Sequence, residues 1–400
     1  MRTLVVFLLL ALCCSVGRSV DLALLHANVY AGPDSAPLAD ATVLIRDGKI
    51  VAVGEQVVVP KETKTLDVQG CTVLAGFWNT HVHFVEPKWA DAAHLPAAKL
   101  EGQLQDMLTH SGFTTVVDTG SDPVNTIALR RRIESGEVRG PHVYTAGIPL
   151  YPPHALPYYL KDLPEELRSR LSQPETPAQA VAAVQQNIAA GTDIVKLFTG
   201  SIVAPDRIVP MSVPIASAAV TEAHRHHQLV FAHATNFAGM NAAMESGVDV
   251  IAHAPELLEG VDERYLQTLV AHHMALIPTL QLFSQDKNIA DIRKVVLRFH
   301  RLGGRLMFGT DTGFLSEYDM RTEYRQLSLA GLNFREIIAM LTTAPAECFG
   351  VAKEKGRVAP GQTADLTILS ADPGAGDLLA FARVKYTIRA GRIIFIRPQG

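Results

Sequence analysis

The sequence predicts an α/β protein: a (β/α)8 TIM barrel with a small β-sandwich domain built from both ends of the chain. Three observations lead there. The middle of the chain alternates short β-branched apolar runs with helical stretches, the pattern of a parallel sheet made of βα units. Both ends read instead as short alternating strands joined by tight turns. The middle section is about 280 residues long, the size of one closed barrel.

The N-terminal strands fall at residues 24–30, 41–45 and 50–54, the last two flanking an Asp47-Gly48 turn. At the other end the strands are 364–369, 384–388 and 392–395, with Ala390-Gly391 between the final pair. Residues 20–70 and 351–400 are therefore expected to assemble one composite β-sandwich domain. The barrel occupies 71–350. Its candidate strands are 73–77, 114–117, 142–145, 194–198, 229–232, 248–252, 275–278 and 305–309. Helices are predicted between them, for example over 177–190 and 213–226.

Composition excludes several classes. A hydrophobic content of 48% over 400 residues rules out a disordered chain and suffices for a large core. With 19% charged residues, a net charge of −4 and no basic stripe, nucleic acid is not an expected partner. The first residues differ from the rest. Arg2 precedes an apolar run over 4–14, and small residues follow up to Ser19. Residues 1–19 read as a signal peptide cut after Gly17 or Ser19, so the protein is expected to be exported, periplasmic or extracellular. The run is too short to serve as a transmembrane anchor, which needs about 20 apolar residues. Beyond it only Cys71 and Cys348 remain, too few for a disulfide framework. A homo-oligomer is left open.

Thr80-His81-Val82-His83 lies just after the first barrel strand. Two imidazoles one residue apart on an extended segment project to the same side and can reach one ion. With 15 His in 400 residues, about 0.6 such pairs arise by chance, so the pair alone says little. A second pair, His224 and His226, falls in a predicted helix where its rings diverge; it reads as surface. Position gives the first pair its weight. Lys196 sits near the end of the fourth candidate strand, His233 follows the fifth, His253 the sixth and Asp311 the eighth. Barrel enzymes gather their functional groups at these strand ends, so all six residues converge on the mouth. Lys196 is the odd member, because an ammonium is repelled by divalent cations and costly to bury unpaired. Either it is salt-bridged away from the site, or CO₂ has carbamylated it into an anionic oxygen ligand bridging two metals.

These motifs resemble the metal-dependent amidohydrolase superfamily, in the branch of imidazolonepropionase and related metallo-dipeptidases. The resemblance runs through Thr80-His81-Val82-His83-Phe84, Asp193-Ile194-Val195-Lys196-Leu197, Phe231-Ala232-His233 and Asp249-Val250-Ile251-Ala252-His253. It continues through Phe308-Gly309-Thr310-Asp311 and the tail Gly361-Gln362-Thr363-Ala364-Asp365-Leu366. It implies two divalent metal ions, commonly zinc. His81, His83 and Asp311 would hold the inner ion, His233 and His253 the outer, with carboxylated Lys196 and a hydroxide between them. It further implies that Asp311 takes the proton of that hydroxide and delivers it to a leaving amine.

Departures from the family pattern fall at Trp78-Asn79, where members often carry Asp before the His pair. Thr235 and Asn236 stand where related dipeptidases place a carboxylate-gripping Tyr. Tyr151 and His154, in the loop after the third strand, are candidate substrate contacts together with Thr235. The expected activity is hydrolysis of an amide or related C–N bond in a small peptide-like, N-acyl or cyclic amide substrate. The alternatives are a mononuclear deaminase or imidazolone-type cyclic amidase, a phosphoester or lactone hydrolase, and an inactive metal-binding protein. A deaminase would carry a Glu near Thr235 and would leave Lys196 without a role.

Overall fold

A computed structural model describes residues 21–398. The segment read as a signal peptide lies outside the described residues. Five strands come first: β1 (Leu22–Val29), β2 (Leu38–Arg46), β3 (Lys49–Gly54), β4 (Lys64–Asp67) and β5 (Thr72–Ala75). The middle supplies β6 (Phe77–Val82), β7 (Phe113–Asp118), β8 (His142–Thr145) and β9 (Ile194–Phe198), then a hairpin of β10 (Gly200–Ala204) and β11 (Arg207–Pro210). There follow β12 (Leu229–His233), β13 (Val250–Ala252), β14 (Ala275–Ile277) and β15 (Arg305–Leu306). The chain ends on β16 (Leu366–Leu369), β17 (Val384–Arg389) and β18 (Arg392–Ile396).

The two ends do come together, in one continuous hydrogen-bonded sheet rather than the two stacked sheets of a sandwich. Its order is β18-β17-β16-β5-β1-β2-β3, with β4 also on β1. Leu24, Val43, Ile45, Val73, Leu366 and Ile368 form its own apolar core. The expected strand over 73–77 is thereby divided. Residues 73–75 belong to β5 in the terminal sheet, and Phe77 starts β6 elsewhere. The break is Gly76, whose N–H donates to the Asp365 carbonyl at 2.7 Å. A side chain there would collide with Thr114, whose Oγ1 is 2.2 Å from the position of a Cβ. Only glycine lets the chain cross so close to β7.

In the middle, β6-β7-β8 form one parallel sheet and β9-β12-β13-β14-β15 another. Backbone bonds join their edges. Leu150 N–H donates to the Lys196 carbonyl at 2.9 Å, and Thr80 N–H to that of Phe308 at 2.8 Å. Side chains alternate between two apolar clusters, as the period of a strand requires. Val116, Val195, Val230, Ile251 and Leu276 pack in the cluster that also holds the helices' buried faces. Their chain neighbours Val117, Ile194, Phe231, Val250 and Ile277 pack together on the opposite face. That second face carries Lys196, two residues on from Ile194, and His233, two on from Phe231.

Cys71 and Cys348 are both free thiols. No helix among the described residues is long and apolar enough to cross a membrane.

The terminal sheet is tied to the helix Pro123–Glu134 by an electrostatic contact. Glu134 Oε1 lies 2.6 Å from Arg389 Nη2 and 2.7 Å from His142 Nδ1. Burial raises the Glu134 pKa, but His142 and Arg389 overcome it and hold the carboxyl down to about 2. The folded value lies below the ordinary 4.5. The contact therefore stabilises the fold above the ordinary value and is lost as pH falls towards the folded one. Urea denaturation should show Glu134→Gln less stable than the wild type near neutral pH, with the difference shrinking steadily in acid.

Candidate metal centre

His81 lies in β6 and His83 just beyond it, both directed inward because Val82 between them packs into the outer cluster. Lys196 comes from β9 and His233 is the last residue of β12. His253 directly follows β13 with φ +130°, and Asp311 lies beyond β15 with φ +61°. The backbone departs from extended geometry at both positions, which turns their side chains back inward. Gly309 makes room for this approach: a Cβ there would stand 2.9 Å from that of His81.

Five of the side chains meet, and Lys196 is buried near enough to influence their charge. His81 Nε2 and His83 Nε2 lie 3.2 and 3.0 Å from Asp311 Oδ1. The His81 ring is centred 4.3 Å from that of His253, which is 4.8 Å from that of His233. Lys196 Nζ lies 5.8 Å from the centre of the Phe198 ring, and Phe198 stacks on His233 at 4.7 Å. Ligand atoms of His81, His253 and Asp311 all lie within 4.8 Å of one another, close enough to share a cation.

The donor set fits such an ion. Both nitrogens of His81, Nε2 of His233 and Oδ1 of Asp311 are buried without an aligned hydrogen bond. Buried polar atoms are normally satisfied, and bound cations would satisfy one nitrogen of His81, Nε2 of His233 and Oδ1 of Asp311. Burial, followed by the charge of Lys196, lowers the pKa of His81 and of His233 to about 3. Burial also takes His253 well below its ordinary value. These rings are neutral, the form that ligates metal. Burial opposes the charge on Asp311, but the neighbouring imidazoles, His81 foremost, keep its carboxyl well below the usual range. Burial lowers Lys196 to about 7, against a smaller opposing pull from Asp311. The amine is thus readily deprotonated.

Two of the rings, His83 and His253, are oriented from behind. His83 Nδ1 donates to the Gly120 carbonyl at 2.7 Å, which leaves Nε2 for the centre. His253 Nδ1 meets Thr279 Oγ1 at 2.8 Å. Asn79, where relatives often carry Asp, accepts from the His81 N–H and donates to Thr310 Oγ1 at 2.7 Å. Trp78 stacks on Tyr144. The sequence reading missed Asp118, at the end of β7. It is buried and accepts from Gly120 N–H, Ser121 Oγ and Thr145 Oγ1, which fixes the turn that presents the Gly120 carbonyl. Its one signal was a carboxylate closing a strand of otherwise uncharged residues.

The proposed substrate contacts divide. Tyr151 is buried against Phe198, ring centres 4.5 Å apart, beside the centre. His154 is not brought in. Its side chain is 85% exposed and 3.2 Å from Glu175, because φ +55° turns it outward. Thr235 is committed elsewhere: its hydroxyl donates to the Gly200 carbonyl at 2.8 Å, and its own carbonyl accepts from Glu256 and Leu257. Two further aromatics went unread. Tyr159 packs on Phe314 at 5.4 Å, and burial, with Tyr151 and Asp311 nearby, pushes its hydroxyl well above the ordinary range. His224 and His226 lie on the surface as expected, beside Asp249 and Glu222.

Comparison with known proteins agrees with this architecture. The amidohydrolase family model matches residues 72–394. The chain belongs to the amidohydrolase family, which makes it a hydrolytic enzyme of the class acting on C–N bonds. A crystal structure from Bifidobacterium longum described as a prolidase is 28% identical, with a TM-score of 0.76 over 94% of this chain and 95% of that one. A Xaa-Pro dipeptidase with bound methionine has a TM-score of 0.79 at 20% identity, over 94% and 100%. The A. niger ochratoxinase gives 0.77 at 20%, over 95% and 96%. At 20% identity the likeness is one of fold. A stretch of 46 residues is 46% identical to a dihydroorotase from Anaeromyxobacter dehalogenans (strain 2CP-C), covering 12% of this chain and 11% of that protein.

Proposed function

We propose that the protein hydrolyses an amide or related C–N bond of a small peptide-like, N-acyl or cyclic amide substrate, using two divalent cations held at the six-residue centre. The observation that carries this reading is the gathering of His81, His83, His233, His253, Asp311 and Lys196, buried or half-buried, with several ligand atoms lacking a partner. His81, His83 and Asp311 would hold the inner cation, and His233 and His253 the outer. Zinc suits the set of imidazoles and one carboxylate.

Lys196 would lie between the two ions as a carbamate. Its amine adds CO₂, an N–C bond forms and one proton leaves, which replaces a buried cation by an anionic oxygen donor. The pull of Asp311 on the buried lysine is smaller than the cost of its burial, so the ammonium is only partly compensated. When bound, the cations would acidify an attacking water and polarise the scissile carbonyl. Asp311 takes the proton of the attacking water and returns it to the leaving nitrogen. Tyr151, Phe198 and Tyr159 offer an apolar wall beside the reacting bond, suited to a substrate with an apolar flank.

The names of the similar structures, prolidase and Xaa-Pro dipeptidase among them, support amide cleavage, and that of the dihydroorotase supports a cyclic amide. We also read β6–β9 and β12–β15 as one closed barrel, supported by the bonds at Leu150 and Thr80, and the protein as exported. The test is a screen of metal-loaded protein against N-acyl amino acids, dipeptides, cyclic amides, lactones and phosphoesters, with metal content measured in parallel. The expected result is about two ions per chain and turnover confined to amides. Faster cleavage of phosphoesters or lactones would replace the reading, and a constant single ion would favour a mononuclear site.

A further inference from the structure

We propose that Glu323 is a positioning residue for the metal centre: its buried carboxyl anchors the turn at residues 279–281, and that turn sets the Thr279 hydroxyl against His253. The inference rests on the reading of His253 as a metal ligand.

Glu323 stands in the first turn of the helix Arg321–Ala330, where an acidic residue ordinarily faces solvent beside the helix N-terminus. Here it is fully buried. Its Oε2 instead accepts the N–H of Gln281 at 2.5 Å, and the carboxyl also receives the N–H of Leu280. Both donors belong to the segment following β14. The residue before them, Thr279, is buried and holds φ +44°. A β-branched residue adopts the left-handed region only where its surroundings enforce it. Two successive N–H groups captured by one carboxyl are such an enforcement, acting immediately after the strained residue.

Thr279 in turn places Oγ1 2.8 Å from Nδ1 of His253. A second tie, from Ala254 N–H to the Pro278 carbonyl at 3.2 Å, keeps the two strand ends together. Fixing Nδ1 leaves Nε2 of His253 for the centre, and partners of this kind set both the tautomer and the aim of a ligating ring. Other buried polar atoms of this region, Glu323 Oε1 and Gln281 Oε1, have no hydrogen-bond partner. The fold thus tolerates an imperfect polar pocket where an apolar residue would pack more simply.

The experiment measures zinc affinity by chelator competition for the wild type, Glu323→Leu, Glu323→Gln, Thr279→Val and the double variant Glu323→Leu/Thr279→Val, with urea midpoints alongside. Glu323→Leu keeps the volume and removes the acceptor; it should weaken the more loosely held ion by about 10–100-fold. Glu323→Gln retains an acceptor oxygen and should stay near the wild type. Thr279→Val should reproduce the loss, and the double variant should lose no more than the worse single one, since both act on one chain of contacts. Losses that multiply, or a Glu323→Leu variant that is merely less stable with unchanged zinc affinity, would overturn the proposal. If the leucine variant does not fold, Glu323→Asp retracts the carboxyl by one methylene and should lose zinc affinity within an intact fold; unchanged affinity there also overturns it. His253→Ala serves as the separate control. Full retention of both ions in that variant would remove His253 from the centre and so refute the underlying reading rather than the clamp.

Discussion

Lys196→Ala is expected to lower turnover by at least about 100-fold, beyond the cost of losing outer support of a ligand, and to reduce the metal content as well. The reason lies in the charge arrangement. Lys196 is buried among His81, His233 and His253, and its positive form depresses the pKa of all three. A free ammonium at that point would repel the cations the histidines are arranged to hold. The proposed conversion to an anion would make it compatible with them. Growth or reconstitution with ¹³C-labelled bicarbonate should therefore give a carbamate carbon signal in the wild type that is absent from the alanine variant. Short carboxylic acids should restore part of the activity by entering the vacated space as oxygen donors. Unchanged metal content and unchanged rate in the variant would remove Lys196 from the centre.

Asp311→Asn is expected to cut kcat by about 10²–10⁴, the usual worth of a positioned general base and acid, while metal content falls much less. Asparagine keeps an oxygen that can ligate but cannot accept and return a proton. The carboxylate also balances the surrounding groups, with His81 and His83 both within 3.2 Å of the same oxygen. Comparing the loss in rate with the loss in metal separates the two roles. Equal losses would make Asp311 a ligand alone.

The residues proposed for the centre could be picked out because a parallel strand presents alternate side chains to one face and ends where its neighbours end. Lys196 two residues after Ile194, and His233 two after Phe231, follow from that period without any tertiary information. His253 and Asp311 depart from it, through positive φ values that no local pattern announces. The terminal sheet was legible as strands but not as a topology. Gly76 looked like part of one apolar run, and only the crowding against Thr114 shows why the chain changes sheets there. Glu323, Asp118 and Thr279 were illegible for a different reason: each acts on a backbone group or ring far away in sequence, so its meaning depends on the partner. His154 failed because a loop residue's direction is set by its own backbone angle rather than by any period.

The position of β5 between β1 and β16 affects how the molecule can be made. A chain synthesised from its N-terminus carries the first five strands for some 290 residues before β16, the second partner of β5, exists. Until then an apolar edge is open to other chains, a known route to misassembly. Completion of this sheet therefore waits on the synthesis of β16, β17 and β18. A stop codon ahead of Leu366 should produce insoluble material rather than a trimmed enzyme.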